Sequence, residues 1–335
     1  MTPDTNVLVT GGAGFIGSHL VDALLERPST TVTVLDRLSS GGSRANLETH
    51  DGDGRLRFVL GDVTDMALVD ELVAGSRSVI HAAAESHVDR SIEDPGAFLR
   101  TNVIGTQTVL EASRTHDVRM LMVSTDEVYG PGEPDDSVFD EERPLRPVSP
   151  YAASKAAADL LCSAYVLTYG APVTIVRGTN AFGPRQIERA VPTFSICALE
   201  GRPIPVYGEG RQRREFLYVT DWVDAALTVL DDGEPGAIYN IGGGHELENL
   251  ELAKQICALA GVPDSQIEFV PDRPGHDFRY GLRSDRLRDL GWEPRVSFDD
   301  GLARTVQWYR EHLAWLHQAH DVPVVTEPRA AGAGL

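Results

Sequence analysis

The chain is short of cysteine, of basic residues and of long apolar runs, and each shortage excludes a class of protein. Its three cysteines, Cys162, Cys197 and Cys257, lie far apart in apolar segments and show no metal-ligand spacing. We therefore expect no disulfide framework and no metal site, but buried, reduced thiols in a cytoplasmic protein. No apolar run approaches the roughly 20 residues of a membrane-spanning helix. The first residues place no basic region ahead of an apolar one, so a signal peptide is not expected either.

The charge balance limits the partners. With 30 Lys and Arg against 50 Asp and Glu, the formal net charge is −20. Nucleic acid is excluded as a partner because it would require a basic face. A small anionic ligand is compatible with the charge if local arginines override the global field. The 335 residues, 42% of them hydrophobic, are enough for a large core and for roughly two domains.

The first part of the chain has the order strand, glycine turn, helix, strand and acid. An apolar strand at residues 7–9 is followed by Gly11, Gly14 and Gly17, and a second strand ends at Asp36. Glycines at this spacing permit a tight turn and let backbone N–H groups approach a pyrophosphate at a helix N-terminus. The pattern predicts a dinucleotide site, although a glycine turn can also serve only the close packing of helix and strand.

Asp36 also bears on which dinucleotide is bound. It lies about 20 residues after the turn, where a carboxylate accepts hydrogen bonds from both ribose hydroxyls. A carboxylate there would repel a 2′-phosphate, so NAD is favoured over NADP. Arg37 leaves an alternative open because a neighbouring arginine can accommodate that phosphate.

Two further strands lead to candidate cofactor contacts. The strand predicted at 56–60 is followed by Asp62, which fits an adenine contact, and by Asp65, which fits a helix N-cap. The strand predicted at 78–82 runs into three alanines that would let a cofactor lie close to the backbone. His87 follows them, and without an obvious partner it is interpreted as a structural histidine rather than a base.

A polar cluster follows the next buried strand. Residues 120–123 are apolar, and Thr125, Asp126 and Glu127 come directly after them. Because ligands bind at the carboxyl ends of parallel strands, these side chains are placed where chemistry would occur. The alternative is that the two acids are solvated loop residues.

A tyrosine and a lysine form the second half of this candidate site. Pro150 and the alanine-rich run after it predict a helix start, and Tyr151 and Lys155 then lie on one helix face. Together with the two acids they could form an acid/base set, whereas Tyr151 alone could be a packing residue. The intervening loop, at 131–149, is long enough to be a flap.

The chain divides softly near residue 180. We predict a nucleotide-binding domain at 1–180, a smaller, partly interleaved substrate domain at 181–320, and a disordered tail at 321–335. A long helix is predicted at 95–116, with Leu99, Val103, Thr106, Val109 and Leu110 on one face. A later strand, at 214–218 or 237–241, is expected to return to the first sheet.

These features together resemble the extended short-chain dehydrogenase/reductases that act on nucleotide sugars. The resemblance covers about residues 6 to 315 and is carried by Gly11-x-x-Gly14-x-x-Gly17, Asp62 and Tyr151-x-x-x-Lys155. Within that group, the segments 124–130 and 84–91 resemble the dTDP-glucose 4,6-dehydratases. Sugar 4-epimerases usually carry small or hydroxyl residues in place of Asp126 and Glu127, so this pair is the most discriminating feature.

The resemblance implies an α/β fold, a Rossmann-type doubly wound parallel sheet with a smaller, interleaved α/β substrate domain. It implies that Tyr151 removes the O4 proton of the sugar, that Lys155 holds the nicotinamide ribose and lowers the tyrosine pKa, and that Thr125 bonds the sugar near C4. It further implies that Glu127 removes the C5 proton and that Asp126 protonates the departing C6 hydroxyl. NAD takes a hydride from C4 and returns it to C6, giving a 4-keto-6-deoxy sugar.

The resemblance also implies two binding sets and a homodimer. The NAD set comprises Gly11, Gly14, Phe15, Ile16, Gly17, Asp36, Arg37, Leu38, Ser39, Asp62, Val63, Ala82, Ala83, Ala84, Ser86, Thr101, Tyr151, Lys155 and Ala181. The nucleotide-sugar set comprises Ser86, Thr125, Asn180, Arg189, Ala190, Pro205, Tyr207, Arg214, Asn249, Arg273 and His276. The dimer would be formed by the helices at 95–116 and 151–169.

The sequence departs from the dehydratases in one substrate-facing loop. The segment at 179–192 is one residue shorter than usual, Arg189 takes the place of a lysine, and Ala181 that of an asparagine. These changes leave the nucleotide and the sugar open. The alternatives are a nucleotide-sugar 4-epimerase or decarboxylase on the same scaffold, and a non-catalytic dinucleotide-binding module.

Overall fold

A seven-stranded parallel sheet forms the centre of the protein in a computed structural model that describes residues 5–39, 41–132, 138–272 and 279–320. The strands of this part of the chain are β1 Thr5–Thr10, β2 Thr30–Asp36, β3 Leu56–Leu60, β4 Ser78–His81, β5 Arg119–Thr125, β6 Val173–Gly178, β7 Asn180–Phe182, β8 Ile204–Tyr207, β9 Arg213–Tyr218, β10 Ile238–Ile241, β11 His245–Glu248 and β12 Ile267–Val270.

The central sheet has the order β10-β6-β5-β4-β1-β2-β3, and each pair of neighbours is parallel. The chain winds outward from β1 to β3 and then in the opposite direction from β4 to β6. The order therefore reverses between β1 and β4, and a doubly wound sheet opens its ligand crevice at such a point. The predicted Rossmann-type fold is confirmed, as is the return of a later strand to the first sheet, since β10 pairs with β6.

Two small sheets complete the strands. β7 pairs parallel with β9, which pairs antiparallel with β11, and β8 pairs parallel with β12. These sheets contain four of the residues that were predicted to contact the substrate, Asn180, Pro205, Tyr207 and Arg214. The domain division at residue 180 stays a prediction, and residues 321–335 lie outside the described residues.

Helices cover both faces of the central sheet. They are α1 Phe15–Leu25, α2 Met66–Ala74, α3 Val88–Glu93, α4 Pro95–Phe98, α5 Thr106–His116, α6 Pro150–Tyr169, α7 Ala190–Leu199, α8 Val219–Asp232, α9 Asn249–Ala260, α10 Asp285–Asp289 and α11 Phe298–His320. Short 3-10 helices span Arg44–His50, Asp126–Tyr129 and Asp264–Gln266. Helices α1 and α8 pack over one apolar cluster on one face of the sheet. Helices α2, α5 and α6 pack over a second apolar cluster on the other face.

The helix predicted at 95–116 is interrupted by a π-helix at Leu99–Gly105, which lies between α4 and α5. The Thr106 hydroxyl donates to the Asn102 carbonyl at 2.6 Å within this widened turn. A π-turn adds a residue and rotates the faces before and after it. Val109 and Leu110 are fully buried as predicted, whereas Leu99 is 53% exposed, so its placement on the same buried face was wrong.

Local signals at both ends of α6 set its position. The Ser149 hydroxyl accepts from the Ala152 N–H at 3.0 Å, which makes Ser149 the N-cap, and Pro150 occupies the first turn. Gly170 ends the helix in the left-handed region, at φ 68°. The predicted helix start is thus confirmed, and it places Tyr151 in the first turn of α6.

A buried ion pair joins α6 to the central sheet. Arg177 of β6 and Asp159 of α6 are both almost fully buried, with Nε and Oδ2 2.8 Å apart. The same guanidinium donates to the Tyr129 hydroxyl at 3.0 Å, and that hydroxyl donates to the Asn240 Oδ1 at 2.7 Å. The network ties α6 to the segment that follows β5, so it fixes both halves of the candidate site relative to each other.

Asp159→Asn is expected to lower the free energy of unfolding by about 3–5 kcal/mol, because it leaves the Arg177 charge buried without its partner. Urea unfolding measures this. The matched control is Asp231→Asn, which breaks the exposed Arg27–Asp231 pair (2.9 Å) and should cost less than about 1 kcal/mol. Equal effects of the two substitutions would contradict the account of the buried pair.

The three cysteines are buried free thiols. None of the helices in the described part of the chain has the length and apolar character that crossing a bilayer requires. Within the same residues, no cluster of three or more His, Cys, Asp or Glu side chains is arranged to hold a metal ion.

Candidate active site

A cavity of about 650 Å³ opens at the carboxyl ends of β1, β4, β5 and β6. All five predicted catalytic residues line it, namely Thr125, Asp126, Glu127, Tyr151 and Lys155. Thr125 ends β5, Asp126 and Glu127 follow it directly, and Tyr151 and Lys155 come from the first turns of α6. The fold therefore brings together the two sequence fragments that were ambiguous when considered separately.

The glycine turn forms one end of the cavity and leaves space for a ligand. Gly11 has φ 72°, and a Cβ built on it would lie 2.7 Å from the Ala83 backbone. A Cβ on Gly17 would lie 2.0 Å from the Gly11 carbonyl oxygen, so neither position tolerates a side chain. The N-cap residue of α1 is Gly14, so no side chain caps the start of this helix. The first-turn N–H groups of α1 are thus open to an anionic group such as a pyrophosphate.

Asp36, the last residue of β2, also lines the cavity. Its Oδ2 accepts from the Ala13 N–H at 2.9 Å and its Oδ1 from the Leu38 N–H at 2.8 Å. Burial raises the pKa of this carboxyl, and the two backbone donors oppose that rise. The backbone donors hold the carboxylate in a fixed orientation, which suits an acceptor for ribose hydroxyls.

Arg37 is held by two carboxylates. Its Nη1 donates to the Asp62 Oδ2 at 2.9 Å, and its Nη2 pairs with Glu85. Glu85 is buried and also accepts from the Arg90 Nη2 at 2.9 Å. The Arg37 charge is therefore already balanced, which makes it a poor partner for a 2′-phosphate. The sequence left open whether Arg37 could accommodate a 2′-phosphate, and these contacts of Arg37 favour NAD over NADP.

Replacing Asp36 alone is expected to improve NADP⁺ binding. Replacing Glu85 as well, which removes one of the two carboxylates that hold Arg37, should improve it further. Asp36→Ser/Glu85→Gln should bind NADP⁺ roughly tenfold more tightly than Asp36→Ser, since one charged hydrogen bond is worth about 1.5–3 kcal/mol. Titration calorimetry on the cofactor-depleted protein gives both dissociation constants. The control is Asp36→Ser/Glu93→Gln, which changes an exposed acid of α3; equal affinities for the two double variants would contradict the role given to Glu85.

Lys155 and Tyr151 lie side by side under the cavity. The Lys155 ammonium donates to the Val123 carbonyl at 2.6 Å, and burial lowers its pKa to about 8 while Asp159 opposes the shift. Burial also raises the pKa of Tyr151, as does the Glu127 charge, whereas Arg189 and a hydrogen bond with Thr125 lower it. The expectation that Lys155 lowers the tyrosine pKa stays a prediction.

The two acids differ in their surroundings. Asp126 is buried, and burial raises its pKa to about 7, with Glu127 and Glu215 adding to the rise. Glu127 is less buried, and its Oε1 lies 3.4 Å from the Arg189 Nη1. A protonated Asp126 beside an ion-paired Glu127 matches an acid and a base, because environments that push two carboxyls apart separate their roles.

Arg189 connects the substrate side of the cavity to these acids. It precedes α7 with φ 95°, its side chain is 37% exposed, and its Nη2 donates to the Ser86 carbonyl at 2.8 Å. The prediction gave Arg189 to a diphosphate, and the structure gives it a contact with Glu127 as well.

Most of the predicted binding residues line the same cavity. On the cofactor side these are Gly11, Gly14, Phe15, Ile16, Gly17, Asp36, Arg37, Ser39, Val63, Ala82, Ala83, Ala84, Ser86, Thr101 and Ala181. On the substrate side they are Asn180, Arg189, Ala190, Pro205, Tyr207, Arg214 and Asn249. Arg273 and His276 lie outside the described residues.

Two predicted cofactor residues, Leu38 and Asp62, are not part of the cavity wall. Leu38 contributes its backbone N–H to Asp36 and leaves its side chain partly exposed. Asp62 bonds Thr64 at 2.9 Å and pairs with Arg37 at the edge of the cavity. Asp65 caps α2, so its structural interpretation is confirmed. The His87 Nδ1 accepts from the Arg90 N–H, but His87 also lines the cavity, so its structural role stays a prediction.

The sequence reasoning missed several residues of the wall, among them Ser124, Gln186, Glu188, Thr193 and Trp222. Ser124 directly precedes Thr125 on β5, which was a usable signal. The others come from segments far along the chain, with no motif to mark them. Two hydroxyls of the wall, Thr101 Oγ1 and Ser124 Oγ, are buried without a hydrogen-bond partner among the described residues. Orphaned donors that face a cavity fit a polar ligand such as a dinucleotide.

Comparison with known proteins defines the class. The model of the NAD dependent epimerase/dehydratase family matches residues 7–242, and the chain belongs to this family. The family resemblance predicted from the glycine turn and the Tyr151/Lys155 pair is confirmed.

Within the family, the chain is most like dehydratases among the relatives compared. It is 49% identical over 317 residues to the dTDP-glucose 4,6-dehydratase of Streptomyces niveus, covering 92% of this chain and 94% of that protein. It superposes on the DesIV dTDP-glucose 4,6-dehydratase of Streptomyces venezuelae, crystallised with NAD bound, with a TM-score of 0.89 and 47% identity, covering 93% and 98% of the two chains. It superposes on the UDP-glucose 4-epimerase of Thermus thermophilus in complex with NAD with a TM-score of 0.84 and 34% identity, covering 91% of this chain and 99% of that chain.

Proposed function

We propose that this protein is an NAD-dependent dehydratase that converts dTDP-glucose into dTDP-4-keto-6-deoxyglucose. The observation that carries the proposal is the pair of unlike acids, Asp126 and Glu127, beside Tyr151 and Lys155 in one cavity. An epimerase stops after the first oxidation and return of the hydride and needs no second acid/base pair. The greater identity to dehydratases than to an epimerase supports the same choice.

The residues of the cavity divide into a cofactor half and a reacting half. When bound, NAD would supply the redox chemistry by taking a hydride from C4 and returning it to C6. The N-terminus of α1 and its glycine turn would hold the pyrophosphate, Asp36 the adenosine ribose and Lys155 the nicotinamide ribose. Arg189 and Arg214 would offset the charge of the substrate's diphosphate.

Proton transfers at the sugar fall to three groups. Tyr151 removes the O4 proton as C4 is oxidised, and Thr125 bonds the sugar near this position. The resulting ketone acidifies the C5 proton, which Glu127 removes while Asp126 protonates the C6 hydroxyl that leaves as water. Glu127 then delivers a proton to C5, after its carboxyl has had the chance to exchange with solvent.

Incubating the purified protein with NAD and dTDP-glucose tests the proposal. We expect a 4-keto product, detected by its ultraviolet absorption in base and by NMR. Formation of dTDP-galactose would assign an epimerase instead, and UDP-glucose run in parallel tests the nucleotide. If neither substrate loses water, the proposed function is wrong.

The pH profile should show the state of Asp126. Because this carboxyl must carry a proton and its pKa is raised to about 7, kcat/KM is expected to fall as the pH rises through about 7, by roughly tenfold per further pH unit. Steady-state rates across the neutral range measure this. A profile that stays flat from about pH 6 to 9 would exclude Asp126 as the acid.

We also propose a homodimer formed through α6 and the helical segment at 95–116. Alanine and leucine side chains follow one another at spacings of three and four along the exposed face of α6, the pattern of a helix–helix seam. Leu160 and Leu167 on this face are 61% and 86% exposed, and Leu99 and Ile104 are exposed on the neighbouring segment. Light scattering of the protein and of Leu160→Lys tests this, and a monomer mass for the unmodified protein would contradict it.

A cytoplasmic location belongs to the same proposal. Three buried free thiols suit a reducing compartment. Cell fractionation followed by an activity assay tests it, and activity in an extracytoplasmic fraction would contradict it.

A further inference from the structure

The loop between β7 and α7, at 183–189, connects the two halves of the site. Residues 186–189 of this loop line the cavity, and Arg189 at its end contacts the Ser86 carbonyl and Glu127. Arg185 comes only four residues earlier, yet its side chain is turned to α1 in the cofactor half of the fold. One short loop thus carries one arginine to each half.

We propose that Arg185 is a positioning residue, which fastens the 183–189 loop to α1 so that Arg189 is held where the substrate's diphosphate binds. This inference rests on the proposed function, because it takes the ligand of Arg189 to be that diphosphate. It gives a part in substrate binding to an arginine whose own contacts lie on α1.

Three groups of the cofactor half hold the Arg185 guanidinium. Its Nη2 pairs with the Asp22 carboxylate and lies 2.7 Å from the His19 Nδ1, both on α1. Its Nη1 donates to the Asn46 carbonyl at 2.8 Å. The Arg185 side chain is only 13% exposed, so solvent and salt screen this ion pair less than a surface pair. Charge-assisted hydrogen bonds are among the stronger ones, and these contacts, the Arg185 clamp, fix the guanidinium in one place.

His19 extends the Arg185 clamp to the backbone of the loop. Because an arginine N–H can only donate, the His19 Nδ1 accepts from Arg185 and the Nε2 carries the ring proton. That Nε2 donates to the Pro184 carbonyl at 3.0 Å. Burial and the Arg185 charge lower the pKa of His19 to about 4, so the ring is neutral at pH 7, as this arrangement requires. Helix α1 therefore holds the side chain of Arg185 and the carbonyl of the residue before it.

The backbone of the loop is strained at both arginines. Arg185 has φ 67° and Arg189 has φ 95°, a region that residues with a side chain rarely adopt. Such conformations persist only where surrounding contacts hold them. Without the Arg185 clamp, the loop is expected to relax and to move Arg189. The Tyr309 hydroxyl would still bond the Gln186 carbonyl, so the loss should be partial.

The Arg185 clamp also reaches the cofactor site. Asn46, whose carbonyl accepts from Arg185, donates through its side-chain amide to the Ala13 carbonyl at 2.8 Å. Ala13 lies in the glycine turn, and its N–H donates to the Asp36 carboxylate at 2.9 Å. The position of Arg189 is therefore set relative to the segment that would hold NAD.

A double-mutant cycle on dTDP binding tests the inference. Arg185→Met keeps the apolar stem and removes the charge and the donors. It is expected to raise the Kd for dTDP roughly tenfold, the factor that one charged hydrogen bond supplies. In an Arg189→Met background the same substitution should raise Kd less than about twofold, because a residue that acts through another gives a non-additive effect. Titration calorimetry of the NAD-loaded proteins measures Kd, with NMR titration for weak binders, and UDP replaces dTDP if it binds more tightly.

Arg27→Met is the matched control. Arg27 lies just after α1 and pairs with the exposed Asp231 of α8, with Nη2 and Oδ2 2.9 Å apart. Its replacement removes an arginine–carboxylate pair of the same region without touching the 183–189 loop. The Kd for dTDP should stay within about twofold of the unmodified value.

Several outcomes would overturn the inference. Equal factors for Arg185→Met in the two backgrounds would mean that Arg185 acts through general stability rather than through Arg189. An unchanged Kd in Arg185→Met, or an equal loss in Arg27→Met, would overturn it as well. If Arg185→Met does not fold, Asp22→Asn weakens the same clamp from α1 and replaces it in the cycle, with an expected loss of about threefold. Failure of this inference leaves the unmodified protein converting its nucleotide sugar, whereas failure of the proposed function leaves it converting none.

Discussion

Replacing Tyr151 by phenylalanine is expected to lower kcat by about 10³-fold, within the range that a general base contributes. The phenol is the group placed to take the O4 proton, and no other base of the described cavity shares its position beside Lys155 and Thr125. The variant should fold normally, because Tyr151 packs edge-on against Phe98 with ring centroids 6.2 Å apart and phenylalanine keeps that contact. Steady-state formation of the 4-keto product, with the affinity for dTDP measured alongside, checks both expectations.

Tyr165→Phe is the matched control. This tyrosine lies on the same helix, and its hydroxyl donates to the Glu111 Oε2 at 3.1 Å, away from the cavity. Its removal should leave kcat unchanged. If Tyr151→Phe retained most of its activity, the base would have to be sought elsewhere.

The parts of this site that the sequence could predict are those fixed by local signals. The strand before Thr125 is a short apolar run, the start of α6 has a serine cap followed by proline, and the glycine turn tolerates no side chain. Each feature depends on neighbours within a few residues. For the same reason, Asp36 could be placed at the end of β2 and Asp65 at the start of α2.

Features that depend on distant partners could not be predicted. The π-turn at Leu99–Gly105 changes which residues of its helix are buried, and no sequence pattern marked it. The pairing of Arg37 with Glu85 joins residues 48 positions apart and bears on the choice of cofactor. The contact of Arg189 with Glu127 spans 62 positions and gives a predicted phosphate ligand a second contact, with the proposed base.

The C-terminal helix shows the same limit. The Tyr309 hydroxyl of α11 is fully buried and donates to the Gln186 carbonyl at 2.5 Å. The same hydroxyl lies 3.4 Å from the Gly183 carbonyl oxygen. It thereby supports the loop that leads to Arg189. The sequence analysis placed these residues only within the predicted substrate domain at 181–320 and gave them no link to the site.

Glu127→Gln is expected to slow exchange of the sugar's C5 proton with solvent by roughly 10²–10⁴-fold, the range of a lost general base. Only an ionised carboxylate can take that proton, and glutamine matches its shape without the basicity. Nucleotide affinity should hardly change, because the diphosphate is assigned to arginines and the amide oxygen of the substituted side chain can still accept from Arg189. NMR of dTDP-glucose in deuterated water follows the exchange, and calorimetry follows the binding of dTDP.

Glu188→Gln provides the comparison that makes this result specific. Glu188 lines the same cavity and is also partly buried, but it lies in the loop before α7 rather than after β5. Its neutralisation should alter the local field by a similar amount and leave C5 exchange within a few fold of the unmodified rate. Weakened binding with unchanged exchange in Glu127→Gln would make Glu127 a substrate contact. Equal losses in both variants would mean that the charge of the cavity, rather than a placed base, controls the C5 proton.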